Sequence, residues 1–177
     1  MAADPPRLKV AKELTREDIF LSLARVPASE RVFLGSSDSN VYALDCSSEK
    51  LAPEAMAGHS SYVTGLALAG EHLVSGGYDG QLIWWNAATR ERLRDIKGHD
   101  KWIRDVKSSP DGKLIAFVSD RSGRDEVWVS DPEGKAPKKI TDLDNEKGAL
   151  VWTPDSKTLL YTAADKKLYA YAVADGK

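Results

Sequence analysis

The feature that most constrains this chain is the stretch at residues 58–86, GHSSYVTGLALAGEHLVSGGYDGQLIWWN. Three short apolar runs follow one another here, separated by tight turns, and none has the 3.6-residue apolar period of a helix. Runs of this length between Gly- and Asp-containing turns are typical of an antiparallel meander. One meander leaves a sheet face uncovered, so the pattern predicts further copies of itself along the chain.

The copies are present at a regular spacing. Two other segments, FLGSSDSNVYALD and LYTAADKKLYAYA, align without a gap on VSGGYDGQLIWWN. The alignment places Asp38, Asp79 and Asp165 in one column, and the first two of these are 41 residues apart. A further copy, ending in EVWVSD, has a few extra residues in its turn. A repeat of about 40–45 residues with four strands each is the period of a β-propeller blade.

We therefore predict an all-β chain, a β-propeller with four blades of four antiparallel strands. A disordered leader is expected at residues 1–6. The blades are expected at residues 15–57, 58–97, 98–141 and 142–177. The fourth copy ends before an outer strand, whereas residues 7–14 (RLKVAKEL) precede the first copy and have an alternating pattern that permits a strand. Residues 7–14 are the expected closing strand of the fourth blade.

The second copy resembles the WD-repeat family. It has His59 after a glycine, then Ser75, Asp79 and Trp85 at the family's spacing, with Asn86 in place of the usual Asp. The resemblance implies a structural tetrad inside the blade, in which Trp85 donates to Ser75, Ser75 meets His59 and His59 meets Asp79. The first copy keeps only the aspartates of this pattern.

The second half of the chain resembles different propellers. The segment SPDGKLIAFVSDRSGRDEVWVSDPEG is similar to the repeats of TolB and of the propellers attached to tricorn-type and prolyl-oligopeptidase-type proteases, and residues 140–177 continue the likeness. The two resemblances meet near residues 100–109. A change of family within one propeller indicates a recombined or engineered chimera, two WD-type blades joined to two TolB-like blades. A natural propeller whose blades have diverged is the alternative.

The residues offer little chemistry. His59, Ser75 and Asp79 invite a Ser-His-Asp interpretation, but catalysis needs an exposed nucleophile beside an oxyanion hole, and Gly-x-Ser-x-Gly is absent. His99 has no Cys or His at metal-ligand spacing, and the acidic run at residues 142–146 lacks the twelve-residue calcium pattern. We therefore predict no catalytic residue, no metal site and no cofactor.

Composition excludes several classes of partner. A net charge of −2 and a pI of about 5.9 provide no basic surplus to neutralise phosphates, so no nucleic acid partner is expected. No run of about 20 apolar residues and no signal peptide is found, so no membrane partner is expected. The single cysteine, Cys46, forms no internal disulfide. A cytoplasmic protein is expected.

The resemblance also bears on assembly. WD-type blades are shaped for rings of about seven or eight, so four of them leave an open half circle with an apolar face at each end. We therefore expect a homodimer forming an eight-bladed ring, in which residues 7–14 of one copy complete the fourth blade of the other. A four-bladed monomer that closes on itself is the alternative.

The function expected from these features is non-enzymatic. The chain's main property is expected to be self-assembly, as a designed or chimeric scaffold without a native ligand. The alternative is a protein-interaction or gating propeller domain of a larger bacterial protein, such as a protease-associated propeller.

Overall fold

The computed structural model describes residues 9–97, 102–142 and 145–173. These residues form fifteen β-strands, and this part of the chain contains no helix that could cross a membrane. The strands assemble into four antiparallel sheets that follow one another along the sequence. The leader predicted at residues 1–6 lies outside the described residues, as do Arg7, Leu8 and the first residues of the third repeat, 98–101.

Each sheet corresponds to one repeat, and we number the sheets blades 1 to 4. Blade 1 contains β1 (Phe20–Arg25), β2 (Arg31–Ser36), β3 (Asn40–Asp45) and β4 (Glu54–Ala57). Blade 2 contains β5 (Val63–Ala69), β6 (His72–Gly77), β7 (Gln81–Asn86) and β8 (Arg92–Lys97). Blade 3 contains β9 (Val106–Ser108), β10 (Ile115–Ser119), β11 (Glu126–Ser130) and β12 (Lys138–Lys139). Blade 4 contains β13 (Lys147–Trp152), β14 (Thr158–Ala163) and β15 (Leu168–Ala172). The prediction of an all-β chain of antiparallel sheets is confirmed.

The first hairpins of blades 3 and 4 are formed by one turn chemistry. The Ser109 hydroxyl donates to the Asp111 carboxylate at 2.6 Å and accepts a backbone N–H at 3.0 Å. Thr153 makes the same two bonds in blade 4, at 2.6 and 3.0 Å. Gly112 takes the left-handed conformation that this turn needs, with φ of 71°, and Ser156 takes it in blade 4 with φ of 62°. The local sequence thus specifies both hairpins.

The blades pack face to face in chain order. The cluster between blades 1 and 2 includes Phe33, Val41, Leu73, Ile83 and Trp85. Equivalent clusters join blade 2 to blade 3 and blade 3 to blade 4. The first strands of successive blades also contact each other in sequence, β1 with β5, β5 with β9 and β9 with β13. Each internal blade therefore buries apolar side chains on both of its faces.

Of the strand predicted at residues 7–14, the described residues 9–14 belong to no strand in the chain taken alone. Blade 4 correspondingly has three strands within the described residues. A strand forms only where a neighbour accepts and donates its backbone hydrogen bonds. The Lys12 ammonium instead holds the segment at blade 1, where it donates to the carbonyl oxygens of Cys46 and Ser48, each at 2.7 Å. Pairing of this segment between two copies stays a prediction.

A buried ion pair joins blades 3 and 4. Lys147 Nζ lies 3.4 Å from the Glu126 carboxylate, and the two side chains are 0% and 1% exposed. The ammonium also donates to the backbone carbonyls of Asp125 and Asn145, at 3.0 and 2.7 Å. The Glu126 carboxylate accepts the Thr141 hydroxyl. Removing one partner of such a pair leaves a buried charge without compensation.

We expect Lys147→Met to lower the free energy of unfolding by about 3–5 kcal/mol, because Glu126 then stays buried without its counter-charge. Lys113→Met is the matched control, since Lys113 is exposed and 3.8 Å from Asp111, and its loss is expected to cost no more than about 1 kcal/mol. Urea unfolding followed by circular dichroism measures both values. Equal losses in the two variants would contradict the role assigned to the buried pair.

Candidate functional site

The four residues of the predicted tetrad lie in one chain of contacts within blade 2. The Trp85 indole N–H donates to Ser75 Oγ at 2.8 Å, and Ser75 Oγ lies 2.7 Å from His59 Nε2. His59 Nδ1 faces the Asp79 carboxylate, at 3.1 and 3.0 Å from its two oxygens. With the imidazole proton on Nδ1, the His59 ring donates to Asp79 and accepts the Ser75 hydroxyl. The network ties the segment before β5 to strands β6 and β7.

Burial gives this network a structural role. Ser75 is 0% exposed, and the side chains of His59 and Asp79 are 0% and 4% exposed. A substrate has no access to the Ser75 hydroxyl, and that hydroxyl already accepts the Trp85 N–H. The arrangement differs from a Ser-His-Asp catalytic site, which needs an accessible nucleophile and donors aimed at an oxyanion.

The environment of Asp79 favours its ionised form. Burial by itself raises the pKa of this carboxyl, but hydrogen bonds from His59 and from the backbone N–H groups of Ser60 and Gln81 outweigh it. The pKa of Asp79 therefore lies below its ordinary value. A carboxyl whose pKa is lowered on folding stabilises the folded state at neutral pH and loses that contribution as the pH falls through the folded value.

Blade 1 uses a different polar network, which sequence reasoning missed. Arg16 donates to the Asp18 carboxylate at 2.7 Å and to the Tyr42 hydroxyl at 2.7 Å. The Tyr42 hydroxyl in turn donates to the Asp38 carboxylate at 2.5 Å, and the Ser36 hydroxyl donates to Asp18 at 2.5 Å. The network stands in blade 1 where the tetrad stands in blade 2.

A signal for part of this network is present in the sequence. A tyrosine four residues after the aligned aspartate occurs in the first copy, as Asp38 and Tyr42, and again in the fourth, as Asp165 and Tyr169. The Tyr169 hydroxyl donates to Asp165 at 2.6 Å, as Tyr42 does to Asp38. Arg16 has no counterpart in the fourth copy, so nothing in the repeat pattern indicated it.

The last blade has an uncovered apolar face. Val41 of blade 1, Leu82 of blade 2 and Val127 of blade 3 occupy one position of the third strand and are 0%, 2% and 0% exposed. Leu168 occupies that position in blade 4 and is 67% exposed. Its neighbours on this side of the sheet are mostly apolar. We call this surface, formed by Val151, Leu160, Leu168 and Ala170, the terminal face.

The opposite end of the row is blade 1, whose outward face is covered only in part, since Leu23 lies opposite Leu34 on this face and is 61% exposed. Leu34, Tyr42 and Leu44 form a small buried cluster on this face. The Arg16 guanidinium lies over the Tyr42 ring, 4.2 Å from its centroid. The segment that precedes β1 therefore runs along the outward face of blade 1.

Blades 2 and 3 share an exposed aromatic stack. The Tyr78 ring lies 5.9 Å from the Tyr62 ring and 4.9 Å from the Trp102 ring, measured between centroids. Trp102 is 48% exposed, whereas Trp152 is buried between blades 3 and 4. Half-exposed aromatic rings with a polar edge are typical of protein contact surfaces.

Comparisons with known proteins divide the chain in two. The family profile described as "WD domain, G-beta repeat" matches residues 53–86. The profile described as "Prolyl oligopeptidase, N-terminal beta-propeller domain" matches residues 96–172. The resemblances to WD repeats and to the prolyl-oligopeptidase propeller are thereby confirmed, and the chain has a β-propeller fold. The likeness to TolB stays a prediction.

Several curated proteins are similar to parts of the chain. Nuclear distribution protein PAC1 of Arthroderma benhamiae is 33% identical over 124 residues, covering 63% of this chain and 27% of that protein. The p21-activated protein kinase-interacting protein 1-like of Gallus gallus is 28% identical over 160 residues, covering 89% of this chain and 42% of the relative. The uncharacterized peptidase YuxL of Bacillus subtilis is 33% identical over 66 residues, which is 10% of its length.

A solved structure shows the same fold. A chain in the crystal structure of the mitotic checkpoint complex matches with a TM-score of 0.77 and 20% sequence identity, covering 93% of this chain and 51% of that one. The chain thus spans about half (51%) of that chain and about a quarter (27%) of the PAC1 relative.

Substitution within the tetrad is expected to destabilise blade 2. His59→Ala and Asp79→Ala each leave buried polar groups without partners, which costs about 1–3 kcal/mol. His72→Ala is the control, because His72 begins β6 at a half-buried position outside the network. Thermal melts of the three variants measure the effect, and three equal melting temperatures would contradict the structural role of the tetrad.

The lowered pKa of Asp79 predicts a pH dependence. The stability advantage of the wild type over Asp79→Asn is expected to be largest at neutral pH and to shrink below about pH 4, where this carboxyl gains a proton in the unfolded chain before it does in the folded one. Urea unfolding of both proteins at pH 7, 5 and 3.5 gives the two curves. An advantage that stays constant across this range would contradict the assignment.

Proposed function

We propose that the chain is a non-enzymatic interaction propeller whose principal partner is a second copy of itself, and that two copies complete one eight-bladed ring. The observation that carries this proposal is the terminal face. Leu168 is 67% exposed at a position that is at most 2% exposed in each of the other three blades. A blade face of this kind is covered by another blade everywhere else in the chain.

The energetics favour covering the terminal face. Burying Leu168 and Val151, which are 67% and 56% exposed, contributes roughly 1–2 kcal/mol each. Two-fold symmetry supplies the same contact twice, because the terminal face of each copy meets blade 1 of the other. A ring with two identical interfaces is closed and leaves no face for a third copy.

The curvature of the blades also supports a half ring. The chain matches 51% of a chain in the mitotic checkpoint complex with a TM-score of 0.77, so it spans about half of that fold. Four blades with the curvature of a larger ring leave a gap that four more blades fill.

A second candidate is an interaction domain of a larger protein. The WD-repeat relatives are longer than this chain, which covers 27% of PAC1 and 24% of the human WD repeat and SOCS box-containing protein 1. Their likeness supports a protein-binding role for the propeller. The match to YuxL and to the prolyl-oligopeptidase propeller supports a gating domain beside a protease in a larger bacterial protein.

The division of the chain between two family profiles supports a recombined origin. The WD profile ends at residue 86 and the prolyl-oligopeptidase profile begins at residue 96. We place the junction of the two blade types between blades 2 and 3. A scaffold recombined or designed in this way has self-assembly as its function and needs no native ligand.

Light scattering coupled to size exclusion tests the dimer. A single chain has a mass of 19.4 kDa, and we expect a species of twice that mass at micromolar concentration. A monodisperse peak at 19.4 kDa would contradict the eight-bladed ring and favour the second candidate.

We expect Leu168→Asp to weaken self-association at least tenfold, because a carboxylate at the centre of the terminal face must be desolvated in the dimer. Glu71→Lys is the matched control, an exposed charge change at the turn between β5 and β6. Analytical ultracentrifugation across a concentration series measures both dissociation constants. Unaltered self-association of Leu168→Asp, with folding verified by circular dichroism, would exclude the terminal face from the interface.

A further inference from the structure

Blade 4 has an open edge. The third strand of each other blade pairs with an outer strand, β3 with β4, β7 with β8 and β11 with β12. Within the described residues, β15 pairs with β14 and no strand lies on its other side. An open edge presents unpaired backbone N–H and C=O groups that favour pairing with another strand.

A groove runs beside this edge. It has a volume of about 650 Å³ and lies between blades 3 and 4. Its apolar wall is formed by Leu114, Val129, Ile140, Tyr171 and Val173. An added strand on β15 projects every second side chain toward one face of the blade. The groove therefore lies on the Tyr171 side of blade 4, opposite the terminal face, and leaves room for the side chains that an added strand projects to that side.

A segment that could pair with the open edge of β15 lies before blade 1. Residues 10–14, VAKEL, belong to no strand, and Val10 is 84% exposed. Lys12 and Arg16 hold this segment on the outward face of blade 1 through the bonds to Cys46, Ser48 and Tyr42. The unpaired segment and the open edge thus lie at the two ends of the row of blades.

The contacts of Lys12 indicate the pairing register. The outer strand of blade 1 is β4, in which Met56 lies opposite Val41. Glu54 of the same strand forms an ion pair with Arg90, in the loop that follows the third strand of blade 2. Lys12 contacts residues 46–48, the corresponding loop of blade 1. Lys12 therefore corresponds to Glu54, and the residue two positions later corresponds to Met56.

This correspondence identifies opposite residues. Leu14 takes the place of Met56, and Leu168 occupies the position of Val41. Leu14 then lies opposite Leu168, and an antiparallel strand places Val10 opposite Ala172. The apolar residues at the two ends of the segment meet apolar residues of β15.

Resting on the proposed function, we propose that the open edge of β15 is a strand-acceptor site, and that its occupant is residues 10–14 of a second copy, with Leu14 opposite Leu168. Lys12 and Arg16 hold the donor segment at blade 1 before the partner arrives. Pairing within one chain would require blade 1 to meet blade 4. The first strands instead pack in chain order, β1 on β5, β5 on β9 and β9 on β13.

A disulfide tests the register. Opposite residues of antiparallel strands have Cα atoms about 4.5–5.5 Å apart, within the range that a disulfide spans. In a Cys46→Ser background, we would mix a chain carrying Val10→Cys with a chain carrying Ala172→Cys under mild oxidation. We expect a covalent species of twice 19.4 kDa on a non-reducing gel.

The matched control replaces Ala172→Cys with Ala170→Cys, which lies on the same side of β15 two residues out of register. We expect at least tenfold less cross-linking in this pair, because a shift of about 7 Å along the strand exceeds the reach of a disulfide. Equal cross-linking of the two pairs would overturn the proposed register.

Two further outcomes separate this inference from the proposed function. If light scattering shows a dimer and the Val10–Ala172 pair forms no disulfide, the strand assignment is wrong and the eight-bladed ring stands. If the two substitutions in one chain give a disulfide at 19.4 kDa, and the mixed chains give none, the acceptor takes the segment of its own chain and the second copy is excluded.

Discussion

The structure depends on one constraint: each blade is a single sheet with apolar side chains on both faces. A lone sheet of three or four strands cannot bury both faces, so each blade requires a neighbour on either side. The row of blades satisfies this requirement at three junctions, each of which contains one buried apolar cluster between neighbouring blades. At the two ends of the row the requirement is met only in part, and the proposed self-association uses these ends.

Within this common architecture the blades are held together by different polar chemistry. Blade 2 has the tetrad around Ser75, blade 1 has the network around Arg16, and blades 3 and 4 share the buried Lys147–Glu126 pair. All three connect a segment near the first strand of a blade to the strands beside it. The fold therefore tolerates a change of network from blade to blade, and this tolerance accommodates the two families that the halves resemble.

The two ends of the row are complementary. Among the residues that the structure describes, blade 4 has an open strand edge and an uncovered face, and blade 1 has a segment outside any strand held over its outward face. In the proposed dimer, contact between copies would repeat the contacts between neighbouring blades inside the chain, because the same strand positions recur at every junction. Association by this pattern needs no new type of interaction, only the junction that the chain already uses three times.

Much of the fold was predictable from the sequence, because period, turns and face alternation are local properties. The repeat spacing, the turn at Ser109 and the apolar third-strand positions all follow from residues near one another in the chain. The tetrad was predictable through the WD resemblance, since His59, Ser75, Asp79 and Trp85 occupy the spacing of that family.

The tertiary structure decided what covers each face. Val41 and Leu168 are equivalent in the sequence pattern, yet one is buried and the other is 67% exposed, because burial depends on a neighbouring blade distant in sequence. The same reason explains why residues 9–14 form no strand, and why the sequence did not predict the polar contacts of Arg16 and Lys147. Their partners, Tyr42 and Glu126, are brought to them only when the sheets pack. Local pattern determines which side chains share a face, and only packing determines what that face meets.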